Sequence, residues 1–290
     1  MQKILDDIYE VCVGGALRKG WGGDACRLAV PMSTRTYECL GWMVVCFLVY
    51  RAFDFNRRLK TLRNSIENDL AQRPITSRAH AVDKFLSAVC FGLFAWQFWF
   101  KYKTSALIWI LQPCHMVLLL EGISLFSEGY VGIMLSICIL PCLTGTLLAM
   151  IMPDTGGLDM PYEMELYWIQ HYLIQSVPIY LLTRRNFLGA KHVSAFSVLV
   201  GVWTLLLLHF SFYEVIDLTY NMNVEFMLCP TEGMNSIFPL IPQILLWPSY
   251  RSGLTYFVFL ISVPIPYFYI YISGKLQSWF SVEEKAEKVV

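Results

Sequence analysis

Leu111-Gln112-Pro113-Cys114-His115 sets a proline, a thiol and an imidazole side by side within a long apolar stretch of the chain. A proline inside a helix removes one backbone hydrogen bond, and its ring presses against the carbonyl group four residues earlier, here that of Trp109. In lipid, such a freed carbonyl is tolerated only where protein or trapped water satisfies it. The pentapeptide therefore predicts a helix break that lies inside a bundle of helices and away from the acyl chains.

The break also suggests a chemical role for Cys114. If the helix restarts with Pro113 in its first turn, the backbone N–H groups of Cys114 and His115 have no acceptor within the helix. A helix N-terminus favours the thiolate form of a nearby cysteine, and the thiolate is the nucleophile. Cys114 is thus a candidate reactive centre at membrane depth. The alternative is that it packs as a small apolar side chain, as most buried cysteines do.

The composition of the 290-residue chain is that of a polytopic membrane protein. Hydrophobic residues make up 56% of it, charged residues 15%, and the mean hydropathy is +0.51; soluble domains have about 25% charged residues. Lys plus Arg and Asp plus Glu both number 22, so no excess of charge indicates a nucleic-acid partner. The nine cysteines form no CxxC pair, and neither a GxxxxGK[ST] nor an HExxH motif occurs. The charged first 35 residues are not expected to be a cleaved signal peptide.

Apolar segments of about 20 residues, the length that crosses a bilayer, recur along the chain. There are seven, near residues 37–54, 85–101, 104–126, 129–152, 162–183, 193–217 and 253–273. The sequence therefore predicts an all-α, seven-transmembrane-helix bundle. Lys and Arg are more numerous on the side that holds the C-terminal tail, so that side is predicted to be cytosolic and the N-terminus lumenal or extracellular.

The predicted organisation has one main domain. Residues 1–36 are the N-terminal lumenal arm, 37–273 are a single transmembrane catalytic domain, and 274–290 are a cytosolic tail. Within the domain, residues 55–84 are predicted to be the main cytosolic loop and residues 218–252 a lumenal loop.

Three expectations concern the lumenal side. Lys101 is expected in the short connection of a tight hairpin between the second and third spans. The acidic residues of this side, among them Glu225, are interpreted as a solvated rim. In an oxidising lumen, Cys26 and Cys229 are candidates for a disulfide that ties the arm to the loop after the sixth span, with Cys12 a competing partner.

Three predicted helices place a thiol and two imidazoles at a similar depth. At 1.5 Å per residue, Cys114, His171 and His209 lie about 15, 14 and 12 Å from the same membrane face. The span of His171 carries polar residues at steps of four, which fall on one helix face: Glu163, Tyr167, His171 and Gln175. Ionisable residues in spans usually face the bundle interior and mark functional sites, although each histidine alone also fits a hydrogen-bonded core residue. The coincidence with Cys114 favours a chemical site.

A cysteine and a histidine suffice for covalent acyl transfer. The imidazole takes the thiol proton, the thiolate attacks an acyl carbonyl, and His171 can then deprotonate an acceptor hydroxyl. Because water is scarce near mid-membrane, lipids are the expected donor and acceptor, and transfer is favoured over hydrolysis. A competing arrangement uses His115, His171 and His209 as metal ligands with Cys114 or a carboxylate.

The chain resembles the transmembrane protein 164 family at Leu111–His115 and again at Pro161–His171. Further segments add to the likeness, which covers roughly the second to sixth predicted spans: Gly22–Cys26, Val177–Leu182, His209–Ser211 and Met227–Pro230. The resemblance implies an acyltransferase that moves a polyunsaturated chain, notably arachidonoyl, between phospholipids. It implies lyso ether phosphoethanolamine lipids as acceptors and products that promote ferroptosis.

The same resemblance matches the family's catalytic cysteine to Cys114 and its catalytic histidine to His171. Gln112 departs from the asparagine expected before the proline, a change that bears on the local geometry beside the thiol. We therefore predict a thiol-dependent phospholipid acyltransferase with Cys114 as nucleophile and His171 as general base. His209 is predicted to be an orienting or acceptor-side partner, and three other residues are supporting candidates: Gln112, His115 and Tyr167.

This chemistry needs no metal, and coenzyme A is expected to be dispensable if the donor is itself a phospholipid. Membrane phospholipids are the predicted partners, and the endoplasmic reticulum or Golgi is the predicted location. The alternatives are an intramembrane lipid hydrolase with the same Cys–His pair, a transporter or channel, and a metal-binding membrane protein.

Overall fold

The fold was analysed in a computed structural model that describes residues 2–18, 31–72, 77–184, 188–227 and 249–287. All regular elements in these ranges are helical, and none of the described residues forms a strand. The predicted all-α class is confirmed. The sequence produces helices because its long apolar segments must satisfy every backbone group internally once water is excluded.

Thirteen α-helices can be numbered in the described ranges. They are α1 (Gln2–Tyr9, continued as a π-helix over Glu10–Gly14 and α-helical again over Gly15–Arg18), α2 (Met32–Ala52), α3 (Phe55–Gln72), α4 (Ser77–Lys103), α5 (Pro113–Phe126), α6 (Tyr130–Ile139), α7 (Leu143–Ile151), α8 (Glu163–Arg184), α9 (Leu188–His192), α10 (Ala195–Leu208), α11 (Glu214–Tyr220), α12 (Ser249–Ser262) and α13 (Ile265–Glu287). Short 3₁₀ turns at Leu107–Leu111 and Leu140–Cys142 precede α5 and α7, and a π-helical turn, His209–Tyr213, joins α10 to α11.

Four helical segments of the described chain are long and apolar enough to cross a membrane: His80–Lys103, Tyr130–Ile151, Ala195–Tyr220 and Leu254–Ser278. They correspond to four of the seven predicted spans and support a multi-pass membrane protein. The count of seven and the orientation of the termini stay predictions.

The third predicted span, 104–126, is α-helical only from Pro113 to Phe126. The α-helix proper is α5, which has 14 residues and a length of about 21 Å at 1.5 Å per residue, short of the about 30 Å of a hydrocarbon core. Residues 107–111 form the 3₁₀ turn instead. The depth assigned to Cys114 by counting from Thr104 along an α-helix therefore does not hold, although the break itself lies where Pro113 predicted it.

The expected cytosolic loop 55–84 is largely helical, since it contains α3 and the start of α4. Phe55 and Ile66 of α3 are buried, and Ile66 packs against Ile133 and Ile137 of α6. An amphipathic pattern thus turns this segment into a helix that packs on the bundle rather than a free linker.

The main core lies where α4, α5, α7, α8 and α13 meet. Leu118 of α5, Leu143 of α7 and Ile174 of α8 are fully buried there. The predicted hairpin between the second and third spans is confirmed, because α4 and α5 pack against each other along their length. Side-chain hydrogen bonds also join helices, as from Ser262 Oγ to Thr144 Oγ1 at 3.0 Å, an arrangement typical of helices packed without water.

A close backbone contact fixes α1 against the turn that precedes α5. The Gly15 N–H donates to the Ser105 carbonyl oxygen at 2.7 Å, and a Cβ atom at Gly15 would lie 1.8 Å from the Thr104 oxygen. Val13 and Ala16 of α1 are buried against Trp109 of the 3₁₀ turn. The N-terminal helix therefore covers the segment that leads to Pro113.

Candidate functional site

Residues from six of these helices and five connecting segments enclose one cavity of about 230 Å³. All six functional candidates from the Cys–His analysis line it, namely Gln112, Cys114, His115, Tyr167, His171 and His209. Cys114, His171 and His209, which the sequence placed at a similar depth, thus line the same cavity. Most of the other lining residues are apolar, such as Met116, Leu120 and Leu148.

Cys114 lies in the first turn of α5. Gln112 has the extended conformation (φ −50°, ψ 139°) usual before proline, and Pro113 is the first helical residue. The first α-helical hydrogen bond runs from the Met116 N–H to the Gln112 carbonyl at 3.1 Å. The backbone N–H groups of Cys114 and His115 lie near the Cys114 sulfur. This is the helix-terminal environment that the pentapeptide predicted.

His115 satisfies the carbonyl group that the proline frees. Its Nδ1 lies 2.7 Å from the Trp109 oxygen, and the Gln112 N–H donates to the same oxygen at 3.1 Å. Because a carbonyl only accepts, Nδ1 of His115 carries a proton in this contact. The position of His115 is therefore explained by its role in holding the helix break.

His171 has the hydrogen bonding expected of a general base. Its Nδ1 donates to the Tyr167 carbonyl oxygen at 2.7 Å, and its ring packs on the Tyr167 ring with 4.1 Å between centroids. The proton on Nδ1 leaves a lone pair on Nε2. That nitrogen is buried and has no hydrogen-bond partner among the described residues. The Cys114 thiol and the His171 ring line the same cavity but are not hydrogen-bonded to each other.

The predicted polar face of α8 is confirmed, because every member makes an interior contact. Tyr167 Oη donates to the Ala149 carbonyl at 2.6 Å, and Gln175 Nε2 donates to Thr146 Oγ1 at 2.6 Å. Glu163, at the start of the helix, is buried and accepts from Lys101. The face thus joins α8 to α4 and α7 while it presents His171 to the cavity.

Lys101 is a cavity residue that sequence reasoning assigned to a loop. It lies in the last turn of α4, with 4% of its surface exposed, and its Nζ is 2.9 Å from Glu163 Oε1. The Trp109 ring lies 5.8 Å from the same nitrogen. The loop assignment was wrong because α4 extends through Lys103, so the charge is turned inward and paired rather than solvated.

Glu225 is the second residue whose predicted environment was wrong. It was expected in a solvated acidic rim, yet its side chain is 7% exposed and its Oε2 lies 2.8 Å from His209 Nδ1. Asn221, in the left-handed conformation (φ 57°), ends α11, and the Val224 N–H donates to Asp217 Oδ1 at 2.9 Å. These contacts turn the chain back so that Glu225 meets the start of the π-helical turn.

The three histidines each bind a different partner. His115 and His171 donate to carbonyl groups, and His209 pairs with Glu225. In the described ranges, no three His, Cys, Asp or Glu side chains are grouped so that they could hold a metal ion. The other candidate pair, Cys26 and Cys229, lies outside the described residues, so the disulfide stays a prediction.

Comparison with known proteins gives one consistent match. The TMEM164 family model matches residues 32–268, a range that contains the whole lining of the cavity. A relative named Transmembrane protein 164 homolog, from Dictyostelium discoideum, is 25% identical over 208 residues, which are 71% of this chain and 70% of the relative. No solved structure matches.

Proposed function

The chain belongs to the TMEM164 family, and from this premise we propose that it is a membrane phospholipid acyltransferase that uses Cys114 as nucleophile and His171 as general base. The acyl chain is polyunsaturated, of the arachidonoyl type. It passes from a phospholipid to a lyso ether phospholipid, with neither a metal nor coenzyme A.

One observation carries the proposal: a thiol at a helix N-terminus lines the same cavity as a buried imidazole whose Nε2 has no hydrogen-bond partner among the described residues. A nucleophilic cysteine needs a base for its proton and a donor for the charge that develops on the substrate oxygen. His171 Nε2 can accept the thiol proton. The N–H groups freed by Pro113 lie on the same side as the sulfur.

The proposed reaction has two steps. In the first, His171 takes the thiol proton, the sulfur attacks the ester carbonyl of the donor, and the C–O bond breaks, so that a thioester forms and the glycerol oxygen takes up a proton from an acid in the cavity. In the second, the hydroxyl of a lysophospholipid gives its proton to the conjugate base of that acid and attacks the thioester carbonyl, the C–S bond breaks, and the sulfur regains its proton from His171. No oxidant or energy source is needed, because an ester is exchanged for an ester.

The size of the cavity supports a lipid substrate that is bound only in part. Its volume of about 230 Å³ is below the about 300–1,000 Å³ of pockets that enclose a drug-sized ligand. It therefore accommodates the ester region of a phospholipid, while the acyl chains and the headgroup extend outside it. Met116, Leu120 and Leu148 in its wall suit the first carbon atoms of a chain.

The finer topology and location also belong to the proposal. In this proposal α2 (21 residues) and α8 (22 residues) join the four long apolar segments as crossing helices, and α5 makes the seventh crossing together with the 3₁₀ turn that precedes it. We place the N-terminus in the lumen and the protein in the endoplasmic reticulum or Golgi.

The test is intact-protein mass spectrometry after incubation with arachidonoyl phosphatidylcholine. We expect a hydroxylamine-sensitive acyl adduct on the parent, none on Cys114→Ala, and a strongly reduced amount on His171→Ala. Cys142→Ala is the matched control, because Cys142 is a second thiol of the same cavity; it should acylate like the parent.

Addition of a lyso ether phospholipid should then discharge the adduct into an ether phospholipid that carries the transferred acyl chain as its ester. Release as free fatty acid would instead identify a hydrolase with the same residues. An adduct that persists in Cys114→Ala, or that never forms on folded parent protein, would overturn the proposal.

A further inference from the structure

The His209–Glu225 pair lies in the cavity but has no part in the reaction described so far. The two side chains are 6% and 7% exposed, and Nδ1 and Oε2 are 2.8 Å apart. His209 begins a π-helical turn, and such turns occur often at functional sites because the extra residue redirects a side chain. Both residues line the same cavity as Cys114 and His171.

Two of the three cavity histidines, His171 and His209, differ in the charge of their hydrogen-bond partner. His171 donates to a backbone carbonyl, which carries no net charge. His209 faces a carboxylate, which fixes the ring and can pair with it when it is an imidazolium. One imidazole is thus suited to accept a proton and the other to hold one.

Three other polar groups of the cavity are already engaged. Lys101 is paired with Glu163, His115 donates to the Trp109 carbonyl, and Tyr167 donates to the Ala149 carbonyl. In the mechanism given above, the oxygen of the glycerol backbone still needs a proton when it leaves the donor. It must also lose one when it attacks as the acceptor.

We infer that His209, oriented by Glu225, is the acid–base group for the glycerol oxygen, while His171 serves the sulfur. This inference rests on the proposed acyl transfer. His209 would be a catalytic residue that contacts the reacting oxygen of donor and acceptor, and Glu225 a positioning residue that acts through it.

The protons balance over the cycle. During acylation, His171 takes the thiol proton, the C–O bond of the donor breaks, and the departing oxygen takes a proton from Nε2 of protonated His209. During discharge, the acceptor hydroxyl gives its proton to His209, its oxygen forms the new ester bond, and the C–S bond breaks. The sulfur leaves with the electron pair and recovers the proton from His171, so both rings return to their starting states.

The inference predicts that the need for His209 depends on the leaving group. A phospholipid ester leaves as an alkoxide, which requires a proton, whereas a p-nitrophenyl ester leaves as a stabilised nitrophenolate, which does not. Acylation of Cys114 by a p-nitrophenyl ester should therefore bypass His209 but still need His171.

The experiment compares the rates at which the two esters, each carrying the same acyl chain, form the Cys114 adduct. In His209→Gln and Glu225→Gln we expect acylation by the phospholipid to fall at least about 100-fold, the lower end for loss of acid–base catalysis. Acylation by the p-nitrophenyl ester should stay within about twofold of the parent, and discharge of that adduct to a lysophospholipid should be slowed like phospholipid acylation. Glu225→Asp should recover part of the phospholipid rate, since it restores a carboxylate.

His192→Gln is the matched control, because His192 is another buried histidine beside a carboxylate, 3.0 Å from Asp69 Oδ2, and does not line the cavity. It should leave both rates unchanged. Equal losses with both esters in His209→Gln would show a structural role and overturn the inference, and so would parent-like rates with the phospholipid. If the parent protein forms an acyl adduct on Cys114, both of these results leave the proposed function standing. If the parent forms no adduct with either ester, the proposed function and this inference are both overturned.

Discussion

The Trp109 carbonyl oxygen, which Pro113 deprives of its helical partner, accepts a hydrogen bond from His115 Nδ1 at 2.7 Å. His115, two positions after the proline, thus donates a hydrogen bond to the carbonyl group that the proline leaves without its helical partner. This hydrogen bond keeps the carbonyl group satisfied inside an apolar bundle and fixes the turn that presents Cys114.

Replacement of His115 by alanine should destabilise the protein. The Gln112 N–H remains on the carbonyl at 3.1 Å, so the loss should be about 1 kcal/mol, at the lower end of the cost of an unmade buried hydrogen bond. Denaturant unfolding in detergent measures it, and His115→Gln, which retains a donor, should recover part of the loss. Equal stability of the alanine variant and the parent would contradict the assigned role.

Gly15 is expected to tolerate no side chain. A Cβ atom there would lie 1.8 Å from the Thr104 carbonyl oxygen, so Gly15→Ala should displace α1 from the turn before α5 and lower the melting temperature. Gly41→Ala is the control, because a Cβ atom at that site in α2 meets no atom within 4 Å. It should be neutral or stabilising by up to about 1 kcal/mol, the usual gain for alanine over glycine in a helix. Protease cleavage within α1 provides a second readout, which should rise in Gly15→Ala alone.

The contact between α3 and α9 should weaken as the pH falls. The Asp69 carboxylate accepts from Lys191 Nζ at 2.8 Å, and this bond holds the pKa of Asp69 below its usual value of 3.8. Burial, opposed by the Asp69 charge, lowers the pKa of His192 from 6.5. A lowered carboxyl pKa stabilises the fold above about pH 4, and that contribution is lost at lower pH. A lowered imidazole pKa means that the unfolded chain binds a proton more readily below about pH 6.5, so stability falls there too.

Hydrogen exchange of the α3 amides between pH 8 and pH 5 measures this effect. Exchange of these amides, after correction for the intrinsic pH dependence, should accelerate on acidification in the parent. His192→Gln should flatten the profile over this range, whereas a profile that keeps its slope in the variant would rule out His192 as the titrating group.

The part of the site that could be predicted from the sequence is the part that depends on local geometry. Proline at a fixed position determines where α5 starts, and a spacing of four residues determines that Tyr167 and His171 share a face. Both are consequences of helix geometry within a single segment. They required no knowledge of how the helices pack.

The residues that were misplaced depend on partners distant in the chain. Lys101 meets Glu163 after 62 residues, and Glu225 meets His209 after 16. Hydropathy treats a charge near the end of a span as solvated, so it cannot identify one that is buried with its counterion. The apolar stretch 104–112 was misassigned for a related reason, since a segment buried beneath α1 is as apolar as one that faces lipid.

The two residues of the buried Lys101–Glu163 ion pair should show non-additive effects on stability when they are replaced singly and together. Lys101→Met or Glu163→Gln leaves one partner uncompensated in an apolar setting and should cost about 3–5 kcal/mol. The double variant Lys101→Met/Glu163→Gln should cost clearly less than the sum, because no uncompensated charge remains and the two desolvation penalties are removed. A double-mutant cycle by denaturant unfolding measures the coupling, with Lys103→Met as the control for loss of a lysine in the same helical turn outside the cavity. Additive losses would mean that the two charges do not interact across α4 and α8, in conflict with their separation of 2.9 Å.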